Sequence, residues 1–187
     1  MRNDSNKWDA PAALTVGHTE NGVALTPIEL TRQTLISGPR VLSQADWSIV
    51  GWPGIAPTPP YALSLRRDRV LLVDGPDMAD GWQEDTQRAI SDASDAYSVF
   101  DVSGDRAFEV LQRGAELRLD AESKSVARLL FGIGVLLYRV NTEDQFRIHV
   151  ASSHAEALVK SLKLAISALR SAGQGNSRPE DALSKTS

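Results

Sequence analysis

Three histidines, an Arg-Arg-Asp-Arg run and one Ser-Gly turn are the residues of this chain whose types could do chemistry. His18, His149 and His154 are too few and too scattered for a zinc or iron site, which takes three or four ligands held together. His149 alternates away from the apolar face of its own segment, and His154 falls in a first helical turn, so each is expected to serve structure rather than catalysis. The turn in "FDVSGDRAFEVLQRG" (100–114) sits between an apolar run and an amphipathic one, where phosphate-binding loops also begin. A phosphate cradle needs several glycines, or glycines with Lys-Ser/Thr, to converge backbone donors. One glycine followed by Asp105 would repel phosphate. Ser103 is therefore expected to cap the helix, with Asp105 as a first-turn charge favoured by the helix dipole. No Gly-x-Ser-x-Gly elbow is present, and "GIG" at 132–134 lacks the third glycine and following helix of a dinucleotide fingerprint. The sequence thus predicts no catalytic, cofactor-binding or metal-ligating residue.

"RRDR" at 66–69 is the most charged turn. A solvated tip is the ordinary role for it; a docking contact is the alternative, because guanidinium makes forked bonds to carboxylates. Trp52 and Tyr61 flank a proline-rich loop, and aromatics in such places either pack inward or meet a partner. The candidate partner-contact residues are therefore Trp52, Tyr61, Arg66, Arg67 and Arg69.

Bulk properties narrow the classes. The 187 residues are 42% hydrophobic, enough for a core of one domain or two packed halves. There is no cysteine, which excludes disulfides, thiolate metal sites and cysteine nucleophiles. Net charge is −4 and the basic residues are scattered, so nucleic acid is not an expected partner. No run approaches the roughly 20 apolar residues of a membrane span, and "MRNDSNKWDAPAAL" has no signal-peptide core. A cytoplasmic location without membrane contact is expected.

The elements that must position these residues follow from periodicity. Residues 1–12 and 173–187 are polar and expected to be loose. Between them a pattern is stated twice, over 13–92 and 93–172. In the first half, "VALTPIELTRQTLISG" is strand-like. "PRVLSQADWSIVG" is expected as a short helix opened by Pro39. "WPGIAPTPPY" is an ordered loop holding four of the nine prolines. "YALSLRRDRVLLV" is a hairpin turning at Arg66-Arg67-Asp68, and "DMADGWQEDTQRAISDA" a closing helix. In the second half, "YSVFDVS" is a strand and "DRAFEVLQRGAEL" a helix. "SVARLLFGIGVLLYRV" is a hairpin turning near Gly132–Gly134, and "DQFRIHV" a strand with Phe146, Ile148 and Val150 on one side. Ser153 and Glu156 form a capping-box pattern before a helix. Its stripe is Ala155, Leu158, Val159, Leu162, Ala165, Ile166 and Leu169. The class is α+β: two similar halves of antiparallel sheet packed with helices.

From about residue 61 to residue 166 the chain resembles the gamma subunit of heterotetrameric sarcosine oxidases, a small relative of the glycine-cleavage T-protein fold. The resemblance runs through "ALSLRRDRVLLV", "DAS" at Asp92–Ser94, "FDVSGDRAFEVLQRG", "GVLLYR" and "DQFRIHVASSHAEAL", in that order. The family's Gly-Pro-Asp-Glu-Trp segment falls on the first of these, where Asp68 matches but the glycine, proline and tryptophan are missing. The resemblance implies a divergent gamma subunit without an active site, bracing alpha, beta and delta subunits. Those partners would carry FAD, FMN, NAD and a tetrahydrofolate site, and the complex would oxidatively demethylate sarcosine or a related N-methyl or secondary amino acid. Two alternatives remain open at this point: a stand-alone T-protein-like folate-binding protein or aminomethyltransferase relative, and a homo-oligomeric binding module.

Overall fold

The computed structural model describes residues 17–43 and 46–169, together with Leu14. The two expected loose ends, 1–12 and 173–187, lie outside the described residues.

Two sheets form the body. Among the described residues thirteen strands run in chain order: β1 (His18–Glu20), β2 (Val23–Ile28), β3 (Gln33–Ser37), β4 (Ser48–Val50), β5 (Ile55–Ala56), β6 (Tyr61–Arg66), β7 (Arg69–Val73), β8 (Gly81–Gln83), β9 (Arg88–Asp92), β10 (Tyr97–Ser103), β11 (Ala127–Leu130), β12 (Ile133–Val140) and β13 (Gln145–Ala151). Helix α1 (Ala107–Gln112) follows β10, and α2 (Ala155–Ser167) follows β13. The first sheet has the order β1-β2-β10-β13-β12-β11, with β5 added in parallel to β12. The second has the order β4-β6-β7-β3-β9-β8, antiparallel apart from the β4–β6 pair. The α+β class stands.

The layers explain the sequence. On β13, Phe146, Ile148 and Val150 alternate onto one face of the first sheet, where Leu111 of α1 and Leu158 and Leu162 of α2 cover them. The opposite face of that sheet meets the second sheet: Leu136, Tyr138 and Val140 of β12 pack with Tyr61, Leu63, Leu71 and Val73. On the far face of the second sheet, Val70 and Leu72 join Ile36, Val41 and Ala62 in a smaller cluster. Strands β12 and β7 are therefore buried on both faces, which is why "VLLY" and "VLLV" are continuous apolar runs. At one border Val126 joins the sheets, donating its N–H to Ser64 O while its own carbonyl accepts from Leu137 N. Among the described residues, no helix is long and apolar enough to cross a membrane.

Four local expectations are corrected. "DMADGWQEDTQRAISDA" is a hairpin, β8 and β9, not a helix. Gly81 and Gln87 take positive φ, which interrupts a helix, and β3 offers β9 a strand edge to complete. In "PRVLSQADWSIVG" the described residues form turns over 39–43 and then strand β4, with 44–45 outside the described residues. The capping box at Ser153 does not form: a 3₁₀ turn (Ser152–His154) precedes α2, no side chain caps it, and Glu156 pairs instead with Lys160 at 2.8 Å. Ser103 does not cap α1 either, and Asp105 is not in its first turn. The helix starts one turn later behind Arg106, and its first-turn acid is Glu109. Nor do the sheets divide at residue 92, because β1, β2 and β5 join the strands of 93–172.

Candidate functional site

The densest set of chemistry-bearing side chains lies between the two sheets. Alternation along β13 turns Arg147 and His149 toward the second sheet, opposite the apolar face that meets the helices. Register then sets their neighbours. Asp101 of β10 and Tyr138 of β12 both stand directly across from Arg147. Tyr61 opens β6 and Gln33 opens β3 on the facing sheet. Tyr61 Oη lies 2.9 Å from Tyr138 Oη, Tyr138 Oη 2.9 Å from His149 Nε2, and His149 Nδ1 2.6 Å from Gln33 Oε1. Gln33 Nε2 donates to the carbonyls of Ser94 and Tyr97, each at 3.3 Å.

The protons in this chain have one consistent order. Backbone carbonyls only accept, so the Gln33 amide nitrogen must face Ser94 and Tyr97, leaving its oxygen toward His149. His149 therefore carries its proton on Nδ1, and Nε2 accepts from Tyr138 O–H. The Tyr138 oxygen is left to accept from Tyr61 O–H. Each link is satisfied, as a buried polar chain requires.

The electrostatics agree with this order. Burial, and secondarily the Arg147 charge, lower the His149 pKa from 6.5 to about 3, so the ring is neutral. Burial raises Tyr138 well above its ordinary value, and it raises Tyr61 too. Burial works against the Arg147 charge, but the hydrogen bonds and charge of Asp101 outweigh it and hold Arg147 above its usual range. That pair is forked, with Nε 2.8 Å and Nη2 2.9 Å from the two Asp101 oxygens, and Gln145 Nε2 adds a bond at 2.9 Å. A phenol moved upward is a poor nucleophile, and an imidazole bonded at both nitrogens has no lone pair to offer a ligand. The set is a polar pin between sheets.

The other singled-out residues are dispersed. Trp52 is buried, gives its indole N–H to Arg118 O at 2.7 Å, and carries Arg128 over its ring. Tyr61 is buried in the pin. Both pack inside this chain, so neither presents a surface to a partner; the flat ring area of each is used by the core. Arg66 and Arg67 are exposed at the β6–β7 turn, and Arg69 Nε donates to Ser37 Oγ at 3.1 Å. His18 lies 3.2 Å from Glu20, and His154 is exposed. Gly104 has φ of 115°, and a Cβ there would collide with the Gly22 carbonyl oxygen, so the Ser-Gly turn is a close backbone crossing. Among the described residues, no three His, Cys, Asp or Glu side chains gather where a metal ion could sit. A cleft of about 530 Å³ borders the Gln33 end of the pin, lined by Pro27, Glu29, Leu30, Ser94 and Tyr97. Sequence reasoning missed Gln33, Asp101, Tyr138 and Arg147. The available signal was Arg147 and His149 alternating with apolar residues on a strand that both neighbours and a second sheet enclose.

No family model matches the sequence, and no curated protein matches it. Solved structures do. A chain of the heterotetrameric sarcosine oxidase from Corynebacterium sp. U-96, solved in complex with pyrrole 2-carboxylate, superposes with a TM-score of 0.61 at 23% identity. The match covers 84% of this chain and 89% of that one. The chain has the fold of a sarcosine oxidase subunit. A likeness to aspartate kinase from Clostridium acetobutylicum, at TM-score 0.37 and 12% identity over 79% of this chain and 35% of that one, is too slight to bear on fold or function.

Proposed function

We propose that this chain is a non-catalytic gamma-type subunit of a heterotetrameric sarcosine-oxidase-like flavoenzyme. The carrying observation is the match to a sarcosine oxidase chain over nearly the full length of both chains. The run of residues that resembles the gamma subunit, from "ALSLRRDRVLLV" to "DQFRIHVASSHAEAL", supports the same assignment. So does the use of its best-built polar cluster, which is spent on joining two sheets. In this reading the alpha, beta and delta partners hold FAD, FMN, NAD and tetrahydrofolate, and this chain braces them. The complex takes hydride equivalents from an N-methyl or secondary amino acid.

The test is purification of the tagged chain from its native host at endogenous level, with mass spectrometry and an absorbance scan. The expected result is yellow material with two larger subunits and a very small one, a flavin band near ~450 nm, and bleaching on addition of sarcosine or a related amine. A colourless chain that emerges alone overturns the assignment, and tetrahydrofolate titration of the isolated protein then tests the folate-binding alternative.

A further inference from the structure

The end of the second sheet away from the pin collects more guanidinium charge than the one carboxylate within the tip, Asp68, offsets. Arg66 and Arg69 stand directly across from each other at the base of the β6–β7 turn. Like charges in that position destabilise a hairpin. Asp68 lies 3.4 Å from Arg66 and is the tip's own carboxylate. Arg67, at the apex, makes no side-chain hydrogen bond or ion pair among the described residues. Neighbouring turns crowd the same end. Gly38 N donates to Asp68 O at 2.9 Å, and a Cβ on Gly38 would stand 2.6 Å from Gln87 O. Two residues beyond Gly38, exposed Arg40 also makes no side-chain bond among the described residues. Arg69 is held in place by Ser37, so the base of the tip is fixed while Arg66 and Arg67 reach outward.

We infer that the Arg66–Arg69 tip is a docking point for a carboxylate-rich protein surface on a partner subunit. This rests on the subunit reading above and names the contact through which it operates. Carboxylates are the matching chemistry because a guanidinium takes them in a forked pair, and one placed between Arg66 and Arg69 relieves their mutual repulsion. A nucleic-acid backbone does not fit. Asp68 sits within the tip, and Glu84 and Asp85 occupy the adjoining β8–β9 turn, so the positive charge is confined to a point instead of extending along a stripe that could follow a phosphate backbone.

The experiment uses the tagged full chain expressed in its native host, comparing the native chain with Arg66→Glu/Arg67→Glu, Arg66→Gln/Arg67→Gln and Asp68→Asn. All sites are exposed, and circular dichroism with a melting curve verifies each fold. The readout is flavin absorbance retained per tagged chain at rising NaCl. The inference expects the native chain to retain its flavin-bearing partners at low salt and lose them as salt rises. It expects the Glu pair to retain at least about tenfold less and the Gln pair to fall between, since about 1.4 kcal/mol is tenfold in affinity. Asp68→Asn, which releases Arg66 and removes a repelling charge, is expected to shift retention to higher salt. If the folded Glu pair retains partners like the native chain, the docking inference is overturned and the subunit reading stands. If the native chain itself retains no flavin, both fall.

Discussion

Acid should loosen this protein through His149. The ring is buried between Tyr138 and Gln33, and its pKa is lowered from 6.5 to about 3 by burial and by Arg147. The unfolded chain takes up that proton near 6.5, whereas the folded chain refuses it until about 3. Stability from this group is therefore complete above 6.5 and is lost as pH falls toward 3, because the unfolded state binds more protons throughout that window. One pH unit is worth about 1.4 kcal/mol, so the loss from pH 7 to pH 5 comes to about 2 kcal/mol, and to about 4 kcal/mol once pH reaches 3, where the folded ring is itself half protonated. The first interval is the cleaner one, since free carboxylates titrate near ~4 and stay largely ionised above pH 5.

The assay is urea unfolding of the full chain at pH 7, 6 and 5. With a slope of about 2–3 kcal/mol per molar urea, the midpoint should drop by about 0.7–1 M between the extremes. His149→Gln supplies the control, because its amide keeps a donor toward Gln33 and an acceptor toward Tyr138 but has no charge to gain. Whatever its baseline stability, its midpoint should be nearly flat over this range. A native chain with no pH dependence here, or a variant with the same dependence, refutes the neutral buried imidazole and with it the proton order of the pin.

Further expectations follow from the same geometry. Tyr138→Phe deletes the acceptor for Tyr61 and the donor to His149, leaving two buried groups unpaired, and should cost about 2–4 kcal/mol in urea unfolding. Tyr61→Phe removes the donor at the end of the chain, without taking both partners from a neighbour, and should cost about 1 kcal/mol, so a reversed order would contradict the proton direction. Asp101→Ala strips the forked partner from Arg147, whose side chain is only 13% exposed, and should cost about 2–4 kcal/mol by the same measurement. Gly104→Ala meets both a positive φ and the Gly22 carbonyl, and its melting curve should show a loss of about 1–3 kcal/mol or more.

The sequence carried the second sheet-and-helix unit well because its signals are local. The alternation of Phe146, Ile148 and Val150 and the stripe from Ala155 to Leu169 each name a single buried face, and each is buried as expected. The turns expected at Arg66-Arg67-Asp68 and near Gly132–Gly134 were marked by breaks between apolar runs, and the second falls at Phe131-Gly132. What stayed hidden was decided elsewhere in the chain. Helical spacing in 77–93 competes with an open edge on β3, and the edge wins because it satisfies a full row of backbone groups. Pairing of β2 with β10 joins residues 24–28 to 99–103, which no window of sequence could indicate. The pin was invisible for the same reason: Gln33, Tyr61, Asp101, Tyr138 and His149 come from five strands of two sheets, and none has a spacing signature with another. The only local trace was polar Arg147 and His149 on a strand too central to face water.

Strand β6 ties the two ends of this argument together, and it also keeps them apart. It begins at Tyr61 in the pin and ends at Arg66 in the charged tip. At about 3.3 Å per residue those points are some ~16 Å apart, beyond the ~8–10 Å screening length of ordinary buffer. Exposed charges at the tip therefore act on a docking carboxylate and hardly on His149, while the pin fixes the strand from which the tip projects. Stability and docking should separate accordingly. His149→Gln should change the acid dependence of folding and leave partner retention at pH 7 intact, whereas Arg66→Glu/Arg67→Glu should do the reverse. If the pin variant at pH 7 lost its partners while still folded, the tip would not be an independent contact, and the sheet interface itself would have to be the element that the partners grip.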